Sequence, residues 1–377
     1  MGNMSYTVLL LGGYGFFGRR LAQRLARIEG LRILVAGRRK MRAAELCEHL
    51  RAAFPATRFE PLALDVRAED LTRALRGTGA QAVVHTCGPF QGQDYRVAKA
   101  CIEAGIHYVD LADGRAFVCG FGELDDLARS AGVLAVSGAS SVPSLSEAAV
   151  RACSADMVAV ECVDIGISPG NRTERGLATV EAILGYCGVR FDAWTDARAQ
   201  PVTGWLRPRR FRYPAPIGTR WLSDCDVPDL ELLPTRFPDV KDVHFRAGLE
   251  LRVLHFGMVA MAALRRLGLV RDWSRHARWL KWIGDRFRHL GSEDGCMHVE
   301  VEGIDAHGRR LRRRWLLVAE QGDGPYVPTL ASTALIRKLA TGRIDRVGAG
   351  PCVNMLELDE ILAEAEDLAI RTECAKR

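Results

Sequence analysis

Tyr6-Thr7-Val8-Leu9-Leu10-Leu11-Gly12-Gly13-Tyr14-Gly15-Phe16-Phe17-Gly18-Arg19 is the stretch that decides the fold. An apolar, β-prone run enters a glycine-rich turn. From Arg19 to Ile28 the residues Leu21, Ala22, Leu25, Ala26 and Ile28 then recur at helical spacing. Gly13 to Gly18 fits G-x-G-x-x-G, which is weak alone and informative between a strand and a helix. In that setting Gly13 permits the tight turn and Gly15 lets a pyrophosphate approach the backbone. Gly18 lets helix and strand pack closely, and the helix N-terminus favours the anion. With Tyr14, Phe16 and Phe17 between the glycines, residues 13–18 are expected to hold a dinucleotide.

Downstream, residues 31–36, 59–64, 82–86, 106–111 and 133–137 read as strands. Residues 41–54, 69–75, 95–104 and 124–131 read as helices between them. The alternation predicts a doubly wound parallel sheet of the Rossmann type. After Pro143 the texture changes. A helix over 145–153 and a strand over 158–167 lead into 168–245, rich in Pro, Arg, Trp and Gly, where 211–216 and 227–238 read as extended loops. Residues 297–302 and 311–319 read as a hairpin joined through Asp305-Ala306-His307-Gly308, and 330–340 and 358–369 as helices. The expected organisation is α/β: a Rossmann domain (1–148), a second α/β (α+β) domain for substrate and dimerisation (149–325), and a C-terminal helical segment packing back on the first (326–377).

The end of the second strand meets the adenosine ribose in such domains, and NAD-binding chains place an acid there. This chain has Gly37-Arg38-Arg39-Lys40, with Arg38 twenty residues after Gly18. A guanidinium suits a 2′-phosphate through paired hydrogen bonds, so NADP is the expected cofactor and NAD the alternative. Asp65, after the third strand, either bonds the adenine amine or caps a helix. Cys87-Gly88-Pro89-Phe90 breaks the pattern after the fourth strand and is expected to wall the nicotinamide, a strand-ending turn being the plainer reading.

Hydride transfer needs a proton donor near the acceptor atom. Tyr108 and Asp113, at and beyond the carboxyl end of the fifth strand, are the candidates. A turn-forming Asp-Gly is the competing reading for Asp113. The serines at 137, 140, 141 and 144 either face the nicotinamide amide or substrate, or cap the following helix, with Glu147 completing a capping box. Two arginine groups, at 207–212 and 309–314, either receive an acidic substrate or carrier protein or form solvated faces. No metal site is expected.

Taken together, GYGFFG (13–18), VAGR (35–38), HTCGPF (85–90) and HYVDLAD (107–113) resemble the saccharopine dehydrogenase-like oxidoreductases over about residues 5–150. The resemblance implies a Rossmann domain interrupted by a second domain that helps form the substrate site and a dimer, with hydride transfer from a nicotinamide cofactor. In saccharopine-making reductases the acceptor is an imine; in the trans-acting enoyl reductases it is an activated C=C bond in a lipid. The stretch from Gly88-Pro89-Phe90 through Ala100-Cys101 to Tyr108-Val109-Asp110 looks closer to the lipid-acting branch. Val142-Pro143 stands where saccharopine-making reductases carry an acid before the proline, a departure that points away from amino-acid imines.

Composition is that of a globular protein: 377 residues, 48% hydrophobic and 26% charged, net charge +6. The basic excess is too diffuse for a nucleic-acid binder. Eleven cysteines with no Cys-x-x-Cys pair fit reduced thiols in a cytoplasmic protein. No basic-then-apolar leader precedes the first strand. The apolar run 253–264 is too short to span a bilayer. It reads as a buried or interface helix, with peripheral membrane contact as the second reading. The expected function is an NADP-dependent reductase acting on a C=N, C=C or C=O acceptor of a small-molecule or acyl substrate. A dinucleotide-binding sensor or scaffold protein is the alternative.

Overall fold

The computed structural model describes residues 5–376, so the extreme ends of the expected first and third segments (residues 1–4 and 377) lie outside it. In chain order the first elements are β1 (Tyr6–Leu11), α1 (Phe16–Leu25), β2 (Leu31–Gly37), α2 (Lys40–Ala53), β3 (Arg58–Ala63), α3 (Leu71–Arg76), β4 (Ala82–His85), α4 (Arg96–Glu103), β5 (His107–Asp110), α5 (Arg115–Cys119), α6 (Asp125–Ser130) and β6 (Leu134–Ser137). They continue with α7 (Ser146–Cys153), β7 (Ala159–Ser168), α8 (Leu177–Tyr186), β8 (Arg190–Thr195), β9 (Arg198–Thr203), β10 (Arg209–Arg212), β11 (Thr219–Asp224), α9 (Asp229–Arg236), β12 (Asp242–Ala247), α10 (Arg252–Arg266), α11 (Ala277–Arg286), β13 (Gly295–Ile304) and β14 (Arg310–Ala319). The last are α12 (Val327–Ala340), β15 (Gly348–Pro351), α13 (Leu358–Ala363) and β16 (Ile370–Lys376).

The chain forms two compact units: residues 1–145 with 326–364, and residues 146–325 with 365–377. The first is a seven-stranded sheet in the order β15-β6-β5-β4-β1-β2-β3. Every pairing in it is parallel. Strand order turns back between β1 and β4, and an open α/β sheet binds its ligands at such a point. Val8 to Leu11 and Ala82 to Val84 are fully buried, as strands covered on both faces must be. Register brings Leu11 level with Ala36 and His85, and His85 level with Asp110. The turns after β1, β2, β4 and β5 therefore leave from one edge. In this unit α12 packs on α1, and Tyr326 donates to Gln23 at 2.5 Å.

The second unit is a nine-stranded mixed sheet. Its main path runs β10-β11-β12-β7-β13-β14-β16, with the β8–β9 hairpin attached through β12. Only β12 with β7 is parallel among its pairings. A helical layer joins α8, α10 and α11 through Leu184, Met258, Ala262, Ala277 and the fully buried Trp205.

Three expectations are corrected here. Residues 229–236, read as extended because of Pro228, Pro234 and Pro238, form α9; its Leu230 and Leu233 are buried and hold the helix despite the internal Pro234. The C-terminal segment is not simply helical: 348–351 is β15 of the first sheet. Residues 370–376 are β16, which pairs antiparallel with β14 of the second sheet, so the segment divides between the units. Residues 364–369 do not continue α13.

Candidate active site

The turn after β1 is built by four glycines. Gly12 holds φ +77° and is the left-handed residue, so the tight turn belongs to Gly12 rather than to Gly13. A Cβ on Gly13 would stand 2.8 Å from Val35 Cγ1, and one on Gly18 would stand 2.2 Å from the Gly12 carbonyl oxygen. Gly13 and Gly18 are therefore packing glycines. Gly15 caps α1 with no side-chain bond, its own N–H donates to Gly12 (2.7 Å), and α1 starts at Phe16. The N–H groups of the first helical turn have no intrahelical acceptor, the standing arrangement for an anion. Phe16 and Phe17 meet edge to face (4.9 Å), and the Arg20 guanidinium lies over the Phe16 ring (4.1 Å).

Tyr14 leans across to the end of β2. A Cβ on Gly37 would fall 2.4 Å from its ring, and its hydroxyl accepts the Arg39 backbone N–H at 3.1 Å. Gly37 and Tyr14 thus lock the glycine turn to the loop that carries the arginines. Arg38 and Arg39 are exposed, with no carboxylate at ion-pair distance among the described residues. Asp65 is exposed and accepts the Arg67 N–H at 3.0 Å in a turn. It does not cap α3, which begins at Leu71 with Asp70 at its N-cap. Burial pushes the Cys87 thiol up to about 11, while the Arg38 charge pulls it down and Asp65 pushes it up. The three residues therefore share one electrostatic neighbourhood.

The turn after β4 is pinned from both sides. The Thr86 hydroxyl donates to the Leu11 carbonyl at 2.9 Å, and the Gln93 amide donates to the carbonyls of Cys87 (2.9 Å) and Pro89 (2.6 Å). Gly88 is exposed, and the Gly88–Pro89 bond is cis. Phe90 turns inward against His85 and Phe117, so its ring anchors the turn and does not wall a nicotinamide. Gln91 donates to Asp113 Oδ1 at 3.1 Å, joining this turn to the one after β5. Asp113 keeps an exposed side chain, yet the protein around it strips water and raises its carboxyl above the ordinary value, with the Gln91 amide pulling the other way.

Tyr108 is the clearest correction. It is fully buried, stacked on Phe121, with its hydroxyl 3.0 Å from His85 Nδ1 and donating to Asp110 Oδ2 at 3.0 Å. It lies in the core against Phe121 and does not meet substrate. Asp110 also accepts from Ala112 N (2.9 Å), Ser137 Oγ (3.0 Å) and Gly138 N (2.8 Å). Burial pushes its carboxyl up to about 6 against those bonds, and burial alone holds His85 down to about 4. Ser137 is thus spent on Asp110, and Ser144 accepts from Cys352 Sγ (3.4 Å). In the second unit most of the 309–314 arginines are paired: Arg312 and Arg314 with Glu300, Arg313 with Asp156, Arg309 with Asp305. Sequence reasoning missed Gly12, Thr86, Gln91 and Gln93. Only the Gly12-Gly13 doublet carried a signal.

These motifs lie within a recognised domain. Residues 8–136 match the family model described as the saccharopine dehydrogenase NADP binding domain. This is an NADP-binding domain. No curated protein matches the sequence. Among solved structures, apo saccharopine dehydrogenase (L-Glu forming) from Saccharomyces cerevisiae is 15% identical and has a TM-score of 0.67, over 98% of this chain and 100% of that one. A meso-dapdh variant with DAP from Clostridium tetani E88 is 12% identical with a TM-score of 0.45, over 94% and 95% of the two chains. The likeness to the yeast enzyme is one of fold. With residues 8–136, the chain carries the cofactor domain of an NAD(P)-dependent oxidoreductase.

Proposed function

We propose that the protein is an NADPH-dependent reductase acting on a C=N, C=C or C=O acceptor of a small-molecule or acyl substrate. The carrying observation is the Gln91–Asp113 hydrogen bond, which ties the turn after β4 to the turn after β5 at the sheet's carboxyl edge. The first-turn N–H groups of α1 suit the pyrophosphate, and Arg38 and Arg39 suit a 2′-phosphate. A methyl-sized group at Gly88 meets nothing nearer than 3.7 Å, so this backbone stands open to a flat ring. NADPH supplies the hydride when bound. Asp113, its carboxyl raised, keeps a proton to higher pH and serves as the donor to the reduced substrate. Gln91 Oε1 is buried and without a partner among the described residues, and so offers an acceptor to a substrate or carboxamide N–H.

An acyl or lipid acceptor is favoured over an amino-acid imine because Val142, before Pro143, is apolar and buried. A homodimer is the assembly that goes with this reading. The test is NADPH consumption with a panel of imines, enoyl thioesters and ketones. Acceptor-dependent oxidation, faster with NADPH than with NADH, is expected. Tight NADPH binding with no turnover across the panel would replace the reductase with a sensor.

A further inference from the structure

Among the described residues, eleven large apolar side chains are exposed, and eight of them lie between residues 253 and 290. Helix α10 buries His255, Met258 and Ala262 on one side and exposes Val253, Phe256 and Leu264 on the other. In the turn that follows, Leu267 and Leu269 are 73% and 70% exposed. Helix α11 buries Ala277 and exposes Trp279 (60%) and Trp282 (55%), one turn apart, with the Arg286 guanidinium 4.7 Å over the Trp282 ring. A soluble surface scatters such side chains singly, whereas their concentration in one helical segment points to an interaction site.

The charge is equally concentrated. Residues 252–290 hold nine Arg or Lys and two Asp, a net +7 in a chain whose total is +6. Both acids are taken, Asp272 by Arg275 (3.8 Å) and Asp285 by Lys281 (2.6 Å). A groove of about 520 Å³ beside this segment is lined by Arg190, Arg265, Arg266 and Arg271. An adjoining one of about 280 Å³ shares Arg190 and Arg266 and adds Arg207. No acidic side chain lines either groove.

We infer that residues 252–290 and the arginine grooves beside them form a docking surface for an anionic lipid bilayer. The indoles and leucines enter the headgroup layer, and the guanidinium groups take lipid phosphates. Tryptophan settles at headgroup depth, and a helix with Trp, Phe and Leu beside Arg lies in the interface plane. Charge complementarity selects this occupant over a second copy of the chain, which would bring +7 against +7 through the same face. No helix among the described residues is long and apolar enough to cross a membrane, so the attachment is peripheral. The inference stands apart from the reductase reading.

The test is co-sedimentation of the full chain with phosphatidylcholine vesicles and with vesicles that also contain phosphatidylglycerol. Binding to the anionic vesicles, weakened by salt, is expected. Arg266→Gln and Arg271→Gln should each lower partitioning by about fivefold, the worth of one basic side chain near an anionic surface. Trp279→Ser with Trp282→Ser should abolish it while the far-ultraviolet circular dichroism spectrum and the thermal midpoint stay unchanged, which shows the variant folded. No binding to anionic vesicles by the folded wild type overturns the inference. So does salt-insensitive binding to neutral vesicles alone. A dimer that dissociates in the tryptophan variant would assign the face to a second copy instead.

Discussion

Gln91 and Asp113 meet at 3.1 Å across two turns that are separate in sequence. Asp113→Asn should leave NADPH affinity unchanged and lower turnover by about 10²–10⁴-fold, the usual worth of a general acid. Gln91→Leu removes the bond that lowers the Asp113 value, so the alkaline limb of the pH–rate profile should move to higher pH. An unmoved limb would take Asp113 out of the proton transfer.

Cofactor choice rests on Arg38 and Arg39. Arg38→Asp should weaken NADPH by about 1.5–3 kcal/mol, the scale of a charged hydrogen bond, and change NADH binding far less. Calorimetric titration of both nucleotides measures the difference. Equal losses for the two would detach Arg38 from the 2′-phosphate.

The glycines separate into two kinds. Gly18→Ala places a Cβ 2.2 Å from the Gly12 carbonyl and should destabilise the fold. Gly88→Ala has room in the protein itself, so stability should move by less than about 0.5 kcal/mol. NADPH affinity should fall, because the methyl group occupies the open face. Thermal melts and nucleotide titrations of the two variants distinguish packing from ligand approach.

Tyr108→Phe strands Asp110 Oδ2 and His85 Nδ1 in the core. We expect a loss of about 1–3 kcal/mol in denaturant unfolding, the cost of unsatisfied buried groups, with turnover per folded molecule preserved. A catalytic defect in the folded variant would restore Tyr108 to the reaction.

Asp229 in the second unit is buried, accepts the Ser146 hydroxyl, and is pushed by burial from 3.8 to about 7. Between those values the folded chain keeps a proton that the unfolded chain has lost. Stability from this group is therefore full below about pH 4 and falls as pH rises to about 7, by about 4 kcal/mol in all. Asp229→Asn should flatten that part of the unfolding profile. An unchanged slope would mean the carboxyl titrates normally.

Most of the first sheet was legible because its central strands β1 and β4 are apolar on both faces and its turns are marked by glycine, while the four-residue β15, Gly-Ala-Gly-Pro, carries no apolar pattern and was missed. The second was less so, for reasons visible in particular residues. The β8–β9 hairpin turns through Asp196 and Ala197, both at positive φ (53° and 56°), with no glycine to announce it. Helix α9 is hidden among three prolines. In the site, Arg38 and the glycine turn could be read because their chemistry is local. Tyr108 could not, because strand alternation allows either face and only its partners His85 and Asp110 decide which. The Gln91–Asp113 bond joins residues on different turns and left no local trace.

The chain passes between the two units three times, near residues 145, 325 and 364. During synthesis the first six strands emerge early, yet the outer edge of β6 stays uncovered until residues 348–351 leave the ribosome. The second sheet waits longer still for residues 370–376. An unpaired edge is a template for aggregation, and until those residues emerge the exposed edges are β6 and β14. A premature stop after residue 340 would make β6 and β14 the edge strands in place of β15 and β16, however complete its cofactor motif.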